Sequence, residues 1–148
     1  MATPTPNPSE RLLTPENCAF TFIDHQPRMA LGVNSIDDET LRSNVAGLAK
    51  AAKAFDVPIV LSTISEVYDG PLFDEILDVF PEHDYIDRTT MNAWEDENYV
   101  AAIEDTSRDR LVMASILDFG DVVFVLPCIH RRSINIVVLR KNVENFVE

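Results

Sequence analysis

The 148-residue chain reads as an α/β domain built on a parallel sheet, and three observations carry that prediction. Short apolar runs rich in aromatic and β-branched residues alternate with stretches whose apolar residues recur every three or four positions, from residue 19 to residue 117. The length suits one hydrophobic core rather than two. Hydrophobic residues at 46% and charged residues at 25% are the balance of a globular domain, not of a disordered or fibrous chain.

Residues 1–11, with Pro4, Pro6 and Pro8 among polar neighbours, are expected to form a flexible arm, and residues 12–148 a single domain. Ala19-Phe20-Thr21-Phe22-Ile23 is expected as a buried strand ended by Asp24. Asp37 and Asp38 suit the N-cap of a helix reaching about Phe55, with Leu41, Val45, Leu48, Ala52 and Phe55 on its inner face. Residues 57–63 form the next strand, with Pro58 tolerated at its start. Gly70-Pro71 opens a helix over residues 72–80 that Pro81 stops. A brief strand follows at residues 85–87, then a helix over residues 96–104 with Tyr99, Val100 and Ile103 inward, then a fourth buried strand at residues 110–117.

Past residue 117 the alternation stops. Asp118-Phe119-Gly120-Asp121 has the composition of a turn, and residues 122–126 and 134–139 both look like strands. Residues 127–133 are too few for a parallel crossover, so these two segments are expected to pair as a hairpin or to lie at a sheet edge. Charge changes here as well: residues 125–148 carry four basic and two acidic side chains, although the whole chain has a net charge of −13. Residues 118–148 are therefore expected to be an atypical tail.

That net charge repels phosphate backbones, so nucleic acid and anionic membrane are excluded as expected partners. No run approaches the eighteen or so apolar residues of a membrane span. Residues 1–15 hold proline and threonine where a signal peptide needs an apolar stretch. Two cysteines, Cys18 and Cys128, cannot build a disulfide framework and point to a reducing compartment; the expected location is cytoplasmic.

In open parallel sheets, ligands sit outside the carboxyl ends of the strands. The polar residues expected there are Asp24, His25 and Gln26 after strand one, Ser65 and Glu66 after strand two, Arg88, Asn92 and Trp94 after strand three, and Asp118 after strand four. An acid, a fixed positive charge and an aromatic wall on one edge can bind and polarise a small carbonyl compound. Gln26, Asn92 and Trp94 are the substrate-binding candidates on that edge, beside Asp24 and Arg88. Each has a plainer reading alone: a strand-ending aspartate as a cap, an arginine as an ion-pair partner, a tryptophan as packing.

Several runs in order carry a resemblance. Leu12-Leu13-Thr14-Pro15, Phe22-Ile23-Asp24-His25-Gln26, Asn44-Val45 in the long helix, the Val57 to Thr63 strand, Gly70-Pro71-Leu72, Phe80-Pro81, and Arg88 with Asn92-Ala93-Trp94 and Asp96 resemble the isochorismatase-like cysteine hydrolases, specifically their metal-free branch. The resemblance covers about residues 11–114 and implies a three-layer α/β/α Rossmann-like domain, C-terminally shortened in this chain, and usually a homo-oligomer.

The resemblance also implies a mechanism: a cysteine attacks an amide or related carbonyl, a carboxylate shuttles protons, and backbone amides hold the oxyanion. Asp24 matches the carboxylate and Arg88 the basic position. The cysteine's place, just after strand four, falls on or beside Asp121, which is no cysteine; Cys128 lies seven residues on, behind Pro127. The loop after strand two reads Ser65-Glu66-Val67-Tyr68-Asp69, without the acid and histidines of the metal-binding branch, so neither a metal nor another cofactor is expected. The implied activity is hydrolysis of a C–N (amide-type) or related bond of a small molecule through a Cys/Asp/Arg-type site. The alternative is a catalytically inactive, truncated or frame-altered family member that binds small molecules or assembles oligomers. Read one base later with freely chosen codons, residues 115–120 can spell a stretch close to the family's own, which is what motivates the frame-altered form.

Overall fold

The computed structural model describes residues 12–33 and 36–116, together with the backbone of residues 135–138. The arm expected over residues 1–11, the turn at residues 118–121 and the strand expected at residues 122–126 lie outside the described residues. In chain order the elements are β1 (Cys18–Ile23), α1 (Pro27–Ala30), α2 (Asp38–Ala54), β2 (Ile59–Ile64), α3 (Glu66–Asp69), α4 (Asp74–Leu77), β3 (Ile86–Arg88), a single 3-10 turn (Ala93–Glu95), α5 (Glu97–Asp105), β4 (Arg110–Ser115) and β5 (Asn135–Val138).

The strands form one sheet in the order β3-β2-β1-β4-β5, and every described pairing is parallel. This is the doubly wound order, in which the winding reverses between β1 and β4. Strand periodicity divides the core. Phe22 of β1, Leu61 of β2 and Ala114 of β4 face α2 and α4, where Val45, Ala49, Ala52, Leu72, Phe73 and Ile76 are buried. Ala19 and Ile23, Val60, and Leu111 and Met113 face the other way, onto Tyr99 and Ile103 of α5. Helices therefore cover both sheet faces, as a buried parallel sheet requires. Each large apolar side chain so buried contributes about 1.5–3 kcal/mol.

Asp37 caps α2 as expected, its carboxylate accepting the Thr40 N–H at 2.8 Å. The helix stops one residue earlier than expected, and Phe55 is 67% exposed rather than inward. The reason is local: Asp56 takes φ 53°, so that its N–H donates to the Lys53 carbonyl and the Val57 N–H to the Ala52 carbonyl. That left-handed closure turns Phe55 out and Val57 in. The helix expected over residues 72–80 is one turn, α4; Leu72, Phe73, Val79 and Phe80 on either side are buried without belonging to it. The short helices α1 and α3 were not foreseen. Strand β5 falls within the segment expected at residues 134–139 and lies at the sheet edge, parallel to β4. Residues 116–134 separate it from β4, long enough for the crossover that residues 127–133 alone could not supply.

Candidate functional site

The carboxyl ends of β1, β2 and β3 place a buried ion pair at one edge of the sheet. Asp24 follows β1 with φ 57°, a left-handed conformation that aspartate tolerates better than most residues. Its N–H donates to the Ser62 carbonyl at 3.0 Å, and its carbonyl accepts the Gln26 N–H at 2.8 Å, fixing the chain as it leaves the strand. Arg88 ends β3, and its carbonyl accepts the Ser65 N–H at 2.8 Å. Arg88 Nη2 donates to Asp24 Oδ1 at 2.5 Å, with the side chains 0% and 1% exposed.

The guanidinium is held on three other sides. Nη1 donates to the Thr90 carbonyl at 2.8 Å and Nε to Ser62 Oγ at 3.4 Å. Its Cζ lies 6.0 Å from the centre of the Tyr99 ring. Tyr99 is fully buried, and its hydroxyl shares a 2.9 Å hydrogen bond with Thr21 Oγ1 on β1. Ser62 and Thr21 were not singled out from sequence, and Tyr99 was expected only as an inward-facing residue of its helix, not at the site. The available signal was hydroxyls within two mainly apolar strands, Thr21 in β1 and Ser62 with Thr63 in β2, together with a buried phenol that needs a partner.

Gln26 is also fully buried, and its amide is committed to the scaffold. Nε2 donates to the carbonyls of Ile64 (3.1 Å) and Gly70 (2.6 Å), and Oε1 accepts the Ile64 N–H at 2.9 Å. It thereby ties the exit of β1 to the ends of β2 and α3. Asn92 is buried; its Oδ1 accepts the Trp94 N–H at 3.1 Å, forming the cap of the 3-10 turn. Trp94 is half-buried and packs edge-on against Tyr99, with ring centres 5.6 Å apart. Trp94 thus packs against the ring that lies beneath Arg88.

His25 turns away from the pair, into the α2–α4 core, between the rings of Phe22 (5.8 Å) and Phe73 (6.1 Å). It is 2% exposed, its Nδ1 meets no hydrogen-bond partner, and burial pushes its pKa down to about 3. It is a neutral core histidine. Glu66 accepts from the Tyr85 hydroxyl at 2.8 Å; burial first, then that carboxylate, push the phenol up to about 12.

Cys18, the free cysteine among the described residues, begins β1. Six residues of extended chain place it about 20 Å from Asp24, at the opposite edge. Burial also raises its thiol pKa, which disfavours the nucleophilic thiolate. Asp121, expected at the nucleophile's place, together with Asp118 and Cys128, lies outside the described residues. Among the described residues no group of three or more His, Cys, Asp and Glu side chains could hold a metal ion. No helix among them is long and apolar enough to cross a membrane.

Protein-family profiles give no match to the chain. It is 33% identical over 107 residues to the probable hydrolase YcaC of Escherichia coli, a stretch that covers 71% of this chain and 51% of that protein. The chain thus spans about half the length of the curated relative it matches. The E. coli YcaC crystal structure, described as an octameric hydrolase of unknown specificity, superposes with a TM-score of 0.77 at 29% identity, over 84% of this chain and 63% of that one. YcaC from Pseudomonas aeruginosa, solved with hexane-2,5-diol and covalent acrylamide, gives 0.78 at 28% identity, over 86% and 65%. An isochorismatase from Pseudomonas putida shares the fold alone, with a TM-score of 0.68 at 13% identity over 84% and 70%. The doubly wound sheet and these likenesses together support assigning the chain to the isochorismatase-like hydrolase family.

Proposed function

We propose that the protein hydrolyses a C–N (amide-type) or related bond of a small molecule, with Asp24 as the proton-shuttling group and Arg88 as its electrostatic partner. The observation that carries this reading is the 2.5 Å contact between Asp24 and Arg88, both buried, at the edge where doubly wound sheets take ligands.

Charge conservation explains how such a pair would act. Asp24 takes the proton of an attacking nucleophile and becomes neutral. The guanidinium, fixed by Thr90 and Ser62, is then left facing the negative charge that has moved onto the substrate oxygen. No charge leaves the buried site, and the stabilising dipoles stand in place beforehand. Asn92 and Trp94 would bound the substrate's space, and Gln26 would act as a positioning residue that fixes the exit of β1. The reading calls on no metal or other cofactor. It has a small molecule as the partner, a second copy of the chain in a homo-oligomer, and a reducing cytoplasm that keeps the thiols free.

A second reading has one observation in its favour: the described cysteine, Cys18, lies at the far edge with a raised thiol pKa. In that reading the chain binds small molecules or assembles oligomers without turnover. A panel of small primary amides, assayed for ammonia release, separates the two. Turnover that Asp24→Asn lowers about 10²- to 10⁴-fold, and that thiol alkylation abolishes, supports the cysteine hydrolase. Turnover indifferent to both changes rules out the proposed site. No turnover, with amide binding retained, favours the non-catalytic reading.

A further inference from the structure

The pair has a neighbour across the winding reversal. Ser115 closes β4, in register with Ile23, the residue before Asp24. Alternation along β4 fixes its side: Leu111 and Met113 face α5, whereas Ala114 and Ile116 pack toward α2 and α4. Ser115 therefore projects to the α5 side. Arg88 lies on that side too, since it touches Ser62 Oγ and the Tyr99 ring. The Ser115 hydroxyl is shut off from solvent and has no hydrogen-bond partner among the described residues. Buried hydroxyls are nearly always paired, and one left unpaired costs stability. The same condition holds for the hydroxyl of Thr90, whose carbonyl receives Arg88 Nη1 at 2.8 Å. Two such hydroxyls thus lie at the carboxyl end of the sheet, one two residues past β3 and one at the end of β4.

We propose that Ser115 is a substrate contact at the β1–β4 switch point, its hydroxyl hydrogen-bonding the polar end of a small amide whose carbonyl Arg88 polarises. The proposal rests on the hydrolase reading and deepens it, by assigning a specificity-determining residue. Direct proton transfer between Ser115 and Asp24 is not part of it, because no hydrogen bond joins the two. A ligand atom placed between them would satisfy the hydroxyl and lie beside the carboxylate.

The test uses the full chain and propionamide, a saturated amide that cannot alkylate a thiol, titrated by ligand-observed NMR. Ser115→Ala is expected to weaken propionamide binding roughly 3- to 10-fold, the effect of one lost neutral hydrogen bond. The same variant is expected to melt no lower than wild type without ligand, because it removes a hydroxyl that nothing satisfies. Equal binding by wild type and Ser115→Ala overturns the assignment while leaving the hydrolase reading standing. A lower melting temperature without ligand overturns it as well, since the hydroxyl would then be structurally paired. If wild type does not bind propionamide, the amide-type reading fails, and this inference with it.

Discussion

The Asp24–Arg88 pair shows how much rests on two side chains. A buried charge is tolerable only when it is paired, and loss of one member strands the other. Arg88→Met is therefore expected to destabilise the fold by about 3–5 kcal/mol in urea titration, because it leaves the Asp24 carboxylate without its cation. Asp24→Asn should cost less, since asparagine keeps the shape, still accepts from Nη2 and tolerates φ 57°. Equal losses from the two substitutions would contradict this asymmetry. His25 makes a second residue-scale prediction. Its folded pKa is lowered to about 3 by burial, from an ordinary value of 6.5. The unfolded chain therefore binds a proton that the folded one refuses. This contribution to stability is complete above about pH 6.5 and is lost as pH falls toward about 3. The slope is about 1.4 kcal/mol per pH unit for one group. Between pH 6.5 and 5 wild type should lose about 2 kcal/mol that His25→Phe does not lose. Parallel pH profiles for the two proteins would refute the assignment. The sequence made Asp24 and Arg88 legible because charged residues at strand ends are conspicuous. It gave no sign of which way His25 would turn, since neighbouring residues leave a strand end in opposite directions.

Among the elements, β1, β2 and β4 were legible because an apolar run bounded by polar residues can hardly be anything else in a chain of this size. The boundaries moved where local closure decided them. Asp56 ends α2 early, and Gln26 and Ser65 precede one-turn helices that contain too few residues to show a period. Strand β5 was read as a strand, but its parallel pairing required knowing that the connection from β4 begins at residue 116. Helix α5 matters most to the site, because it carries Tyr99, which lies beneath Arg88 and reaches Thr21. Asp96 begins it, its carboxylate accepting the Tyr99 N–H at 2.9 Å. Asp96→Ala is expected to cost about 1 kcal/mol, the usual value of a lost N-cap, and Asp96→Ser to restore most of it. Thermal melts of the two variants check this; equal losses would mean that the side chain caps nothing. The opposite face has its own tie. Arg42 pairs with Asp38 and with Glu75 at 3.2 Å while lying 4.0 Å over the Phe73 ring, so one side chain joins α2 to α4. These groups are partly solvated, so the ion pairs add little beyond the ring contact.

For the whole molecule, charge and apolar surface oppose each other. A net charge of −13 keeps copies apart, but the rim at the carboxyl ends of β1, β2 and β3 carries exposed apolar side chains. Leu31 is 84% exposed, Val67 90%, Tyr68 74% and Met91 62%, and all four sit on segments that have just left the carboxyl ends of β1, β2 and β3. Arg28 braces this rim, donating to the Tyr68 carbonyl at 3.1 Å and approaching Asp69 at 3.7 Å. Apolar residues gathered on one edge of an acidic protein are the kind of surface that association covers. Self-association through this rim is therefore expected, and it should strengthen with salt, because screening weakens the repulsion and leaves apolar burial intact. Leu31→Glu combined with Val67→Glu adds like charge at the centre of the rim without touching the core. Sedimentation velocity should show wild type larger than a monomer and the double variant shifted toward a monomer, most clearly at low salt. A wild-type monomer at every concentration and salt level would show that the rim stays bare, and that charge wins over apolar burial in this chain.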